Sequence, residues 1–149
     1  DKIVNKIGSF ITRYSYVEPS DKALVMEMIG EYKDIVANYK QFENELDMKS
    51  QELLKERIQQ CQNLIKQIDY EIQYERDIME IREGCTEFIK MYKDREVLLS
   101  RIWDAQNRYN SLLQKFESIP FHKDSATEHE IVKKLQICYG LIDKSFKGL

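Results

Sequence analysis

The stretch VMEMIGEYKDIVANYKQFENEL, residues 25–46, decides the fold. Val25, Met28, Tyr32, Ile35, Tyr39, Phe42 and Leu46 recur at alternating spacings of three and four, the period of one helical face and not the alternation of a half-buried strand. Ile29 and Val36 widen that seam to the three positions in seven expected of a bundle helix. Gly30 falls inside the pattern at a cost of about 1 kcal/mol against alanine, which the flanking apolar period overrides. The stretch belongs to a run from 21 to 119 that has no proline and only Gly30 and Gly84 as glycines. An all-α fold follows: an elongated antiparallel helical bundle or coiled coil, with a long central helix or helices and short helices folded back at both ends.

Towards the C-terminus a second heptad run holds Leu54, Ile58, Cys61, Ile65, Ile68, Ile72 and Met79. It starts eight residues after Leu46 rather than seven, a slip that an unbroken helix absorbs by a local change of winding. Asp47-Met48-Lys49-Ser50 has neither glycine nor proline, so a continuous helix is predicted there, with Ser50 as the N-cap if it is interrupted. A further stripe, Tyr70, Tyr74 and Ile81, lies offset from the first, and a helix apolar on two sides is clamped between several neighbours. Two readings fit Gly84: a C-terminal cap with a hairpin, or a bend in one helix. Beyond it Phe88, Met91, Leu98, Ile102, Ala105, Tyr109, Leu112, Phe116 and Ile119 keep heptad phase, interrupted only by Arg95, with Cys85, Ile89, Tyr92, Leu99 and Trp103 alongside.

At the ends the punctuation is plain. Ile3, Ile7, Phe10, Tyr14 and Val17 mark an amphipathic helix over 2–16, and Glu18-Pro19-Ser20-Asp21 reverses the chain, because Pro19 keeps Glu18 out of helical geometry and Ser20 or Asp21 can cap the next helix. A second loop runs from Pro120 to Thr127, with Ser125 or Thr127 as the cap of the last helix. The predicted layout is one helical domain, 1–149, with helices at 2–16, 20–83 (an interruption near 47–50 being the alternative), 85–118 and 125–147. The opening at Asp1 without an initiator methionine is read as a piece of a longer protein.

Composition excludes several classes of function. The chain is 42% hydrophobic with a net charge of −3, too apolar for disorder and without the overall positive charge that meets nucleic acid. Cys61, Cys85 and Cys138 are odd in number and far apart, which suggests neither disulfides nor zinc and points to a reducing, cytoplasmic setting. No run of apolar residues is long enough to span a bilayer. His122 and His129 have no glutamate three residues before them, the spacing a bundle metal site needs, and are read as solvated. No metal, cofactor or catalytic residue is expected, and no enzyme.

Recognition is the remaining kind of work. Tyr70, Tyr74, Ile81 and Trp103 are the expected partner-binding residues, in a scaffold or docking element of a cytoskeletal, trafficking or tethering assembly, with a protein partner or a second copy of the chain, as in a homodimer. Lys90, Lys93, Arg95 and Arg101, with Arg108 and Lys115 beyond them, follow an acidic block from Glu71 to Glu87, so two copies could meet by charge complementarity. Trp103-Asp104-Ala105-Gln106 resembles a run in the curved-membrane (BAR-type) helices of sorting nexins. That resemblance implies the alternative: a dimeric, peripheral membrane module presenting Lys90, Lys93, Arg95 and Arg101 to anionic lipid.

Overall fold

The computed structural model describes residues 2–121 and 124–147. Six α-helices account for most of them: α1 (Lys2–Arg13), α2 (Lys22–Phe42), α3 (Met48–Tyr92), α4 (Arg95–Ser100), α5 (Ile102–Ser118) and α6 (Ser125–Lys147), with no strand among the described residues. The chain divides into two compact units, Asp1–Gln73 and Tyr74–Leu149, where a single domain is expected from sequence. Each unit has its own apolar core, and α3 contributes to both.

In the first unit α1 turns back on α2 through the predicted reversal. Asp21 caps α2 by accepting from the Leu24 amide, and Arg13 donates to Glu27 (2.6 Å) and Glu31 (2.8 Å), which fixes the two helices as antiparallel neighbours. Ile7, Phe10, Tyr14 and Val17 from the first segment meet Val25, Met28, Ile35 and Tyr39 of α2, and Leu54, Cys61 and Ile68 of α3 close the core. Burial pushes the Tyr14 phenol up to about 12 and raises the Cys61 thiol.

The continuous helix expected through 47–50 is not formed. α2 stops at Phe42, Glu43–Glu45 make one turn of 3-10 helix, and Leu46 is extended. Asp47, rather than Ser50, caps α3, its carboxylate accepting from the Ser50 amide at 2.7 Å. The Gln51 amide donates to the carbonyls of Glu43 (2.8 Å) and Leu46 (3.0 Å), so a side chain from the first turn of α3 ties down the connecting turn. The eight-residue slip is a turn without glycine or proline, held by side chains that compete with helical hydrogen bonds.

In the second unit Gly84 is neither cap nor hairpin, because α3 runs through it to Tyr92. Its role is steric. A Cβ at Gly84 would lie 2.5 Å from Leu112 Cδ2, so the bare backbone lets α5 approach. α5 runs antiparallel to this part of α3, with Lys115 paired to Asp77 (3.5 Å) and to Glu80. α6 runs parallel to it: Arg82 makes a two-pronged pair with Glu130, and Cys138 Sγ approaches the Cys85 carbonyl at 3.8 Å. The adjoining Cys85 side chain and burial push the Cys138 thiol up.

The helix predicted over 85–118 is three pieces. Lys93 and Asp94 leave the helix, and Asp94 caps α4 by accepting from the amides of Glu96 (2.9 Å) and Val97 (3.4 Å). Arg101, at φ −127° and ψ 36°, separates α4 from α5. Asp124 caps α6 by accepting from the Thr127 amide at 3.3 Å and takes a second bond from the Tyr74 hydroxyl at 2.9 Å, so the cap is one residue earlier than Ser125.

These contacts set the acid response. The Asp124 carboxyl is lowered by Thr127 and Tyr74, that of Glu130 by Arg82, and that of Asp47 by the Ser50 amide. A carboxyl lowered in the folded state stabilises fully above its unfolded value, near about 4, and that contribution is lost as pH falls through the lowered folded value. Thermal midpoints are therefore expected to hold from neutrality to about pH 5 and to fall below about pH 4. Replacing Asp124 by asparagine should flatten the fall.

Candidate docking surface

Sequence periodicity assigns Tyr70, Tyr74, Ile81 and Trp103 to one kind of surface, but the structure separates them. Ile81 is fully buried in the core of the second unit with Ile78, Cys85, Phe88 and Tyr92, and it offers nothing to a partner. Tyr74 is half-buried against that core, its ring edge-on to Phe121 at 6.2 Å and its hydroxyl committed to Asp124. Tyr70 belongs to the first unit and is partly exposed. From Tyr74 on, the offset stripe of α3 faces the second core, and Tyr70 is not part of that core. The same change of phase expels Met79, expected in the first seam, to 59% exposure.

Trp103 is the exception. It is the second residue of α5, just after the break at Arg101, and its side chain is 78% exposed. Ala105, two residues on, carries the buried face of this turn, and an indole two positions away points elsewhere. Val97 of α4 is also exposed. Large apolar side chains left in water at a helix start add nothing to the fold, and tryptophan is among the residues enriched where proteins bind one another.

The basic cluster does not lie along one continuous helix face. Lys90 and Lys93 are at the end of α3, and Arg101 lies exposed between α4 and α5. Arg95 is engaged elsewhere, its Nη2 donating to the Ser145 carbonyl at 3.4 Å, near the end of α6, where unpaired carbonyls accumulate. Asp94, Glu96 and Asp104 are interleaved with these cations, so the stretch is mixed in charge.

α6 carries the other surface of the unit. Ile131, Leu135, Cys138, Ile142 and Ser145 are buried, and on the opposite side Lys133, Gln136, Ile137, Gly140, Leu141 and Lys144 line a shallow groove of about 530 Å³. Gly140 leaves this groove open, since a Cβ there would meet nothing within 4 Å. The apolar period does not single out these positions together, and the one signal for them is the glycine among apolar and basic residues at helical spacing.

The cysteines are all buried. His129 is exposed on α6, and His122 lies outside the described residues. Among the described residues no three His, Cys, Asp or Glu side chains converge as metal ligands would, and no helix is long and apolar enough to cross a membrane. Comparison with protein-family models, with characterised proteins and with solved structures gives no match.

Proposed function

We propose that this chain is a non-catalytic docking module, a set of helices that holds Trp103 in water for a protein partner in a scaffolding, trafficking or tethering assembly. The observation that carries this reading is the exposure of the single tryptophan on a folded helix. A side chain of this size buries about 150–250 Å² when covered, and anchors of this kind dominate the energetics of many interfaces. The expected cytoplasmic setting and the elongated antiparallel arrangement belong to this reading, the second being checked by small-angle scattering.

The alternative, a BAR-type membrane surface module, is supported by the exposed cations Lys90, Lys93 and Arg101. Against it, Asp94, Glu96 and Asp104 are interleaved with these cations, when each basic residue at an anionic surface contributes only about 1 kcal/mol. Tryptophan emission separates the two readings. The free protein is expected to emit as a solvated indole, open to acrylamide, and to keep that emission with phosphatidylserine vesicles at low salt. A blue shift with vesicles, together with vesicle co-sedimentation that Trp103→Ala weakens, would instead support the membrane reading.

A further inference from the structure

The groove on α6 has a counterpart on α3. Met79 stands in water with Glu75 four residues before it and Glu83 four after it, both exposed, so the three form one row along the helix. Among the described residues neither glutamate takes part in an ion pair within the unit; nor do Lys133 and Lys144, at the two ends of the groove, the nearby Lys147 being held by Asp143. One surface is an apolar projection between two carboxylates, and the other is an apolar depression between two ammonium groups. Resting on the docking reading above, we infer that the α6 groove takes the Glu75–Met79–Glu83 row of a second copy of this chain, giving a two-fold dimer.

Geometry within the unit permits both contacts at once. α3 and α6 run parallel, with residues 48 to 53 apart in sequence lying side by side, as at Arg82–Glu130 and Cys85–Cys138. At 3.6 residues per turn, Met79 is about 60° around α3 from Arg82, and Ile137 is within about 20° of Glu130 on α6. Row and groove therefore border the same outer α3–α6 face, on either side of the Arg82–Glu130 pair. If a second copy is inverted on that face, α3 of each protomer lies over α6 of the other, so the same contact occurs twice and the assembly closes.

Dimensions agree as well. Glu75 and Glu83 are about 12 Å apart along α3, and Lys133 and Lys144 about 16 Å along α6, at 1.5 Å per residue. Lysine side chains span the difference. Gly140 removes the side chain that would meet the methionine, and methionine adapts to irregular apolar gaps. Arg76 is an exposed cation beside the acidic row. It lies two helical turns before Glu83, at the Glu75 end.

Charge reversal tests the pairing. The native chain is expected to be a dimer by sedimentation equilibrium. Lys133→Glu with Lys144→Glu makes both surfaces acidic, and Glu75→Lys with Glu83→Lys makes both basic. Each double variant alone should weaken dimerisation at least tenfold while keeping its helical circular dichroism. Mixing the two should restore a one-to-one heterodimer, as should combining all four substitutions in one chain. A native chain monomeric throughout, or double variants that dimerise as well as native, would overturn the inference; in either case Trp103 remains available to a partner and the docking reading is untouched.

Discussion

Replacing Phe88 by alanine is expected to remove about 3–5 kcal/mol of stability, the range for deleting a buried aromatic ring. Phe88 is 2% exposed, packs edge-on to Tyr92 with ring centroids 4.8 Å apart, and lies in the core that α3, α4, α5 and α6 share. The loss should register as a urea transition, followed by far-ultraviolet circular dichroism, that moves to lower denaturant. Trp103→Ala is the matched control. It deletes a larger ring but one that touches little, and should change stability by no more than about 0.5 kcal/mol, as surface substitutions do. Equal losses from the two would mean that Trp103 is packed and has no docking role.

The second large effect is at Gly84. Gly84→Val should destabilise by about 1–3 kcal/mol, the usual cost of forcing extra atoms into a packed contact, because the first added carbon already meets Leu112. Leu112→Ala in the same chain should recover part of that loss. Gly30→Ala is expected to have the opposite sign. A Cβ at Gly30 meets nothing within 4 Å, and alanine in a helix interior gains about 0.5–1 kcal/mol over glycine. Thermal midpoints of the three variants check both signs together.

These glycines show what the sequence conceals. Apolar spacing reveals the helices, and the seams at Ile7, Phe10, Val25, Met28, Ile35, Leu54, Cys61 and Ile68 are buried as the pattern requires. Glycine carries no such pattern: Gly84 reads equally as a turn or as a bend in one helix, and it lies in continuous helix with Leu112 of α5 against it. Conversely, the turns at Glu43–Asp47 and at Lys93-Asp94 contain neither glycine nor proline. Their local signals are aspartates able to cap the next helix, together with an eight-residue slip in one case and Arg95 in the seam in the other.

The offset stripe of Tyr70, Tyr74 and Ile81 carries the main lesson for function. A helix apolar on two sides needs more than one neighbour, and period alone does not say whether the neighbour belongs to the same chain. For Ile81 it does, since residues from α5 and α6 cover it. Trp103 could not be told from the buried Tyr92 by spacing, because the breaks at Asp94 and Arg101 turn α5 to a new phase. The docking face comes into view only once those breaks are placed.

Photo-cross-linking from position 103 in the intact protein, inside the cell that makes it, tests the docking assignment most directly. A photoreactive phenylalanine in place of Trp103 should give a discrete protein adduct of reproducible mass, lost when the reactive residue is moved to the core-facing Ala105. Adducts to lipid alone, or none above background at position 103, would contradict it.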